Sequence, residues 1–267
     1  MSERPLLSLP ASVTLALWLP AVDGPRTARQ AARAVAGDEV HHVHERGPLP
    51  GGSETLHDVL TELTPVEEVG AILPRAGDPM GAPAVRSADL LDAGEGVLLR
   101  RPGKPSQRCS VLVPEREVYG SVLEPGEMVT WHVDHDVSEH LAAPSLLLAG
   151  VESLSHARRQ IQLALSDTVE ALEDLDVARD RPDLADQLLD LSLASLPAHV
   201  LPPNLDPRRL DVLERAARVL AIVELATGDD GAAVTAAQAG ARAAALAQVS
   251  AAARHALAAA SATRQAV

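Results

Sequence analysis

The chain has 267 residues, of which 46% are hydrophobic, so it can bury a core and wholesale disorder is excluded. Its formal charge of −14, with no Phe, one Tyr and two Trp, excludes nucleic acid as an expected partner. Neither a basic surface for phosphates nor a row of aromatic rings for stacking bases is available.

The expected location is the cytoplasm. The single cysteine, Cys109, forbids an internal disulfide and fits a reducing compartment. The apolar stretch 6–22 resembles the core of a signal peptide, but Pro10 and two serines interrupt it and Glu3 offsets Arg4. No run reaches the roughly 18 apolar residues of a membrane span, so no membrane is expected as a partner.

Strand and helix patterns alternate over the first 140 residues. The apolar run 13–19, closed by Pro20, predicts a strand buried on both faces, because it contains β-branched and aromatic residues. Helices are predicted at 26–36, 53–63 and 87–93. Further strands are predicted at 39–45, where the pattern suits an edge strand, and at 66–73, 96–101, 109–113, 118–123 and 128–134.

From Pro144 onward the periodicity is helical only. Helices are predicted at 151–179, at 180–196, at 206–227 and from 232 onward, the last with a possible break at Ser250. The fold class is therefore α+β: an N-terminal α/β or mixed-sheet domain, residues 1–143, followed by an all-helical bundle domain, residues 146–264.

The helix from Asp206 has both ends marked. Asp206 can cap it, Pro207 suits its first position, and Gly228 can take the left-handed stop. Because its last two turns are apolar on all sides, we expect this end to run into the middle of the protein. Glu224 lies on the apolar face by helical angle, and we expect it to be buried and paired with an arginine such as Arg158 or Arg242.

The loop Leu73–Pro83 is the leading candidate for ligand binding. It leaves the carboxyl end of a predicted strand, where ligands collect in open α/β sheets. It is long and carries Arg75 and Asp78 between rigid prolines. A stiff connection that packs on the helical half is an equal alternative.

Two histidine groups have the residue types of metal ligands, one at 41–44 and one at 132–140. If 128–134 is a strand, His132 and Asp134 point to one face and His135 to the other, which separates three potential ligands. We therefore expect no bound metal. The purified protein should hold no stoichiometric transition metal.

Catalytic motifs are missing from the sequence. Cys109 lies in a predicted strand and is interpreted as a small buried hydrophobe. The loop 47–53 lacks the glycine spacing and lysine of a phosphate-binding loop. Four cations, Arg100, Arg101, Lys104 and Arg108, could hold a phosphate, but a solvated hairpin tip explains them equally well.

The expected function is therefore that of a cytoplasmic binding or interaction protein with no catalytic residues and no cofactor. A protein partner or a homo-oligomer is expected, and the alanine-rich helix around Ala243 and Ala244 is the expected dimer surface. The alternative is a small-molecule enzyme or a ligand sensor that uses the loop Leu73–Pro83.

Two segments, LPRAGDPMGAP…ADLLDAGEGVLL and DVARDRPDLADQLLDL, together with the Arg- and Ala-rich composition, resemble an uncharacterised family of high-GC actinobacterial proteins. The resemblance covers most of the chain. It implies no activity and assigns no functional residue.

Overall fold

A computed structural model describes residues 6–46, 55–103, 109–121, 124–135, 137, 147–174, 187, 190–227 and 236–264. Its helices are α1 (Ala11–Trp18), α2 (Pro25–Ala36), α3 (Leu56–Leu63), α4 (Ser87–Ala93), α5 (Leu154–Asp174), α6 (Pro207–Thr227) and α7 (Ala236–Ser261). Its strands are β1 (Val40–Arg46), β2 (Glu68–Ile72), β3 (Gly96–Arg100), β4 (Cys109–Ser121), β5 (Glu124–Asp134) and β6 (Thr263–Arg264). The predicted α+β class is confirmed.

The strands form one mixed sheet in the order β1-β5-β4-β3-β2-β6. Strand β1 lies at an edge, as its polar pattern predicts, and pairs parallel to β5. All other pairs are antiparallel. Strand β4 is continuous where the sequence suggested two strands, because β5 pairs with it without a break from Val111 to Ser121.

The predicted strand at 13–19 is wrong, because these residues belong to α1 and its end. All eight residues of α1 are buried, including the polar Ser12 and Thr14, so no solvent-facing side marks a helical period. Periodicity cannot distinguish a fully buried strand from a fully buried helix of this length. Pro10 precedes the first turn, and the buried carboxylate of Glu95 accepts a hydrogen bond from the backbone N–H of Ser12 at 2.9 Å.

The chain folds into two compact units. One spans Met1–Leu9, Glu152–Ala198 and Asp206–Ala260, and the other spans Pro10–Val151, His199–Leu205 and Ser261–Val267. The second unit contains the sheet, including the short strand β6, which the sequence did not predict. Arg264 of β6 donates hydrogen bonds to the backbone carbonyls of Leu148 and Val151.

In the helical unit, α6 begins where the sequence predicts. The Asp206 carboxylate accepts a hydrogen bond from the N–H of Arg208 at 2.9 Å, and the predicted stop at Gly228 lies outside the described residues. The predicted burial is reversed along the helix. Its first half is buried at Val212, Leu213, Ala216, Ala217 and Val219.

The second half of α6 is only partly covered, and Glu224 is exposed rather than buried. The expected pairing of Glu224 with Arg158 or Arg242 is therefore wrong. Arg158 lies 3.9 Å from Asp211, and Arg242 donates to the backbone carbonyl of Ala226. Helical angle places a side chain on a face, but neighbouring elements decide how far along the helix that face is covered.

Candidate functional site

The register of β1, β5 and β4 sorts their side chains onto two faces, because directly paired residues share a face. Buried side chains of one face include Val43, Trp131, Val133 and Pro114. We call the part of the opposite side nearest the β4–β5 hairpin end the open face. It is formed by Val40, His42, His44, Glu115, Glu117, Tyr119, Met128, Thr130 and His132. Farther along the strands the same side carries Val111, Val113 and Asp134, which are buried.

None of these nine residues is buried. Val40 and Tyr119 are 48% and 51% exposed, and His42, His44, Glu115 and Glu117 are also exposed. Met128, Thr130 and His132 are partly covered. The open face is thus a row of apolar and polar side chains, exposed or partly covered, on three paired strands.

Tyr119 lies on a two-stranded arm, where β4 and β5 extend beyond the strands beside them. It is paired with Gly126, and a Cβ atom at that glycine would lie 2.6 Å from the tyrosine ring. The ring therefore covers the glycine directly, which fills the gap in the strand. Both tryptophans are buried, so the one tyrosine of the chain is the aromatic side chain that faces solvent.

Behind the open face lies a polar network. The Trp131 indole N–H donates to Nδ1 of His41 at 3.0 Å, and the other ring nitrogen of His41 lies 3.4 Å from Glu39. The Arg116 guanidinium donates to Glu95 at 3.0 Å and to Glu127 at 2.6 Å. Burial alone would lower the pKa of Arg116, but its hydrogen bonds to these carboxylates outweigh burial and raise it, so it stays charged.

The pKa of His41 is lowered from its ordinary value of 6.5, mainly because burial disfavours the imidazolium, although Glu39 and Glu95 oppose this shift and Arg116 adds to it. At pH values between the lowered pKa of His41 in the folded protein and about 6.5, His41 binds a proton in the unfolded chain but not in the folded one. The stability contributed by neutral His41 is thus present above pH 6.5 and is lost as pH falls toward the folded pKa.

We therefore expect the free energy of unfolding to fall more between pH 7.5 and pH 5 in the wild type than in His41→Gln. Urea unfolding measured across this range tests the difference, and an NMR titration of the His41 ring measures its pKa directly. Equal pH dependence in the two proteins, or a ring pKa at or above 6.5, would contradict this assignment.

The predicted ligand residues Arg75 and Asp78 lie on a tight turn. Their backbone N–H and carbonyl groups exchange two hydrogen bonds, at 3.0 and 2.9 Å. The Arg75 guanidinium donates to the backbone carbonyls of Pro74 and Gly94. Arg75 thus fastens the loop to the end of α4, and ligand binding at this loop stays a prediction.

The prediction for the histidines at the end of β5 describes their geometry correctly. His132 and Asp134 share a face, where His132 lies 2.6 Å from Glu115 and Asp134 accepts from Arg86 at 2.6 Å. The hydrogen bond to Asp134 is the main cause that raises the pKa of Arg86. His135 follows the strand and lies 3.1 Å from Glu45 of β1.

A cleft of about 390 Å³ lies between α4 and the strands β4 and β5. Its polar lining comprises Asp89, Asp92, Glu115, Arg116 and His132. Asp89 also contacts Arg86, at 3.2 Å. The lining does not include Arg75 or Asp78, so the cleft and the predicted ligand loop are separate features.

The remaining candidates have structural surroundings or lie outside the described residues. Cys109 is buried in β4, as predicted. Arg100 pairs with Glu68 at 2.8 Å and with Glu67 at 3.5 Å. Lys104, Arg108 and the loop 47–53 lie outside the described residues. In the part of the chain that the structure describes, no helix is long and apolar enough to cross a membrane.

The fold and its open face define a two-unit α+β protein with an exposed sheet surface. Comparison with protein families matches residues 12–146 to "Rv1486c-like protein, N-terminal domain" and residues 155–258 to "Rv1486c-like protein, C-terminal domain". The chain belongs to this Rv1486c-like family, which agrees with the actinobacterial resemblance of its sequence.

Two relatives are both from Mycobacterium tuberculosis: "Uncharacterized protein Rv1486c" of strain H37Rv and "Uncharacterized protein MT1533" of strain CDC 1551. Each is 32% identical over 175 residues, which cover 60% of this chain and 56% of the relative. The chain therefore spans little more than half the length of these relatives. No solved structure matches it.

Proposed function

We propose that this protein is a cytoplasmic binding protein without catalytic activity of its own, and that its open face docks a protein partner. The observation that carries the proposal is the exposure of Tyr119 on the arm. In a chain with three aromatic residues, the one that faces solvent lies beside exposed carboxylates and histidines on strands. Tyrosine is enriched among the residues that dominate binding energy at interfaces.

Charge favours a basic partner surface. The nine residues of the open face include two glutamates, Glu115 and Glu117. The one arginine that the register places on the same side, Arg46, is paired in register with Asp134 at the far end of β1. The whole chain carries a net charge of −14. Two copies docked through this face would bring like charges together, whereas a basic partner would be steered toward it. A basic protein with an apolar pocket for Tyr119 fits both features.

The test is capture of a partner from a lysate of the host, with Glu117→Lys/Tyr119→Ser as the open-face variant. Loss of a central interface tyrosine costs about 2 kcal/mol or more, which corresponds to a rise in Kd of roughly 30-fold. We expect the wild type to retain a basic protein that the variant fails to retain. Calorimetry with the purified partner then measures the change in Kd.

Glu224→Lys/Leu163→Ser is the matched control. Like the open-face variant, it replaces one exposed glutamate, Glu224 on α6, and one exposed residue with a large apolar side chain, Leu163 on α5. It should retain the partner like the wild type. Equal capture by the open-face variant and the wild type, or loss in both variants, would contradict docking at the open face.

A homodimer through the alanine-rich helix remains a separate prediction. Ala243 and Ala244 of α7 are exposed among the described residues, so a second copy could approach them. Sedimentation equilibrium measures this directly. The ligand-sensor alternative would gain support if a small molecule copurified with the protein and Arg75→Ala abolished its binding.

A further inference from the structure

Three side chains from separate elements meet beside the end of β5. Glu45 belongs to β1, Glu62 belongs to α3, and His135 follows β5. One potential ligand atom of each residue lies within 4.8 Å of the other two. Glu45 and His135 are partly buried, and Glu62 is exposed. We propose that Glu45, Glu62 and His135 bind a divalent transition metal ion of the zinc type.

The chemistry of the three groups selects the class of ion. An imidazole nitrogen suits zinc and similar first-row ions, and carboxylate oxygens complete such sites. Magnesium and calcium, which prefer oxygen ligands only, fit this set poorly. Three protein ligands leave the fourth tetrahedral position for water.

Electrostatics favours a cation at this position. Two carboxylates held within 4.8 Å of each other repel unless positive charge lies between them. Arg101 lies nearby, but its guanidinium donates to the backbone carbonyl of Glu62, at 3.4 Å. A divalent ion would neutralise both carboxylates and bind the imidazole, and so would link a strand, a helix and the end of a second strand.

The distances require little adjustment. With metal–ligand bonds of about 2.0–2.1 Å, ligand atoms in a tetrahedral site lie roughly 3.3 Å apart. His135 and Glu45 already lie 3.1 Å apart. Glu62 is exposed, so its carboxylate can rotate inward without displacing packed side chains. The other ring nitrogen of His135 is buried without a hydrogen-bond partner among the described residues, so the contact that orients the ring is the one within the cluster.

The proposal opposes the expectation of no metal, which considered only ligands close together in sequence. Calorimetric titration of Zn²⁺ into untagged, chelator-treated protein tests it. We expect one ion to bind per chain and to raise the Tm. His135→Ala and Glu62→Gln should each weaken binding by at least about tenfold, because loss of a residue that merely supports a ligand already costs roughly 10–100-fold.

His132→Ala is the matched control, since His132 lies three residues earlier in the chain and on the open face. It should bind Zn²⁺ like the wild type. Thermal unfolding of each variant without metal verifies folding, and Glu62→Gln, at an exposed position, tests the site if His135→Ala fails to fold. Absence of binding, equal binding by the triad variants and the wild type, or loss only in His132→Ala would overturn the proposal.

Discussion

Trp131→Ala should lower the free energy of unfolding by about 3–5 kcal/mol, the range for truncating a fully buried tryptophan. Trp131 is 0% exposed and lies on β5, between β1 and β4. Its removal would leave a cavity in the sheet core, and Nδ1 of His41 would lose the donor that now satisfies it. Urea unfolding of the wild type and the variant measures the difference.

Tyr119→Ala is the matched control, because it truncates an aromatic residue on the neighbouring strand at an exposed position. We expect its free energy of unfolding to fall by at most about 1 kcal/mol, because the exposed ring loses only its cross-strand contact with Gly126. Trp131→Ala is thus expected to affect mainly stability, whereas Tyr119→Ala changes the proposed binding surface with little effect on stability. If Trp131→Ala proved no more destabilising than Tyr119→Ala, the assignment of the two faces would be incorrect.

Glu95→Ala should destabilise the fold by about 2–3 kcal/mol. Glu95 is 7% exposed and accepts hydrogen bonds from the first turn of α1 and from Arg116. Its loss leaves the N–H of Ser12 unsatisfied in the core and removes a buried partner of the guanidinium. The Arg116 side chain is 37% exposed, so solvent offsets part of the second cost.

Glu127→Ala separates the two contributions, because it removes another carboxylate from the same guanidinium at a position that is 33% exposed. An exposed pair of this type contributes at most about 1 kcal/mol. In denaturant unfolding, Glu95→Ala should therefore have a clearly lower free energy of unfolding than Glu127→Ala. Equal losses would show that the hydrogen bond between Glu95 and α1 contributes little.

Local signals predicted much of the fold. The edge strand β1, the helices α2 and α4 and the start of α6 all carry periodicity, capping residues or stop residues that act within one element. The error at α1 arose because a segment buried on every side has no distinguishing periodicity. The error at Glu224 arose because burial depends on elements distant in sequence.

The open face and the proposed metal site depend on register, which the sequence does not encode locally. Tyr119 and Val40 share a face only because β5 lies between β4 and β1. His135 lies close to Glu45 and Glu62 although they are 90 and 73 residues earlier in the chain. The alternation along β5 did separate His132 from His135 correctly, because that inference needs only one strand.

Amide hydrogen exchange of the protein, alone and with the captured partner, tests the central claim most directly. Among the described residues, strand β1 is an edge strand and the arm is paired only within itself, so amides at both places can gain protection on binding. Docking at the open face predicts slower exchange in Val40–Arg46 and in residues 115–121, with α5 and α6 unchanged. Protection confined to the helical unit, with β1 and the arm unchanged, would contradict it.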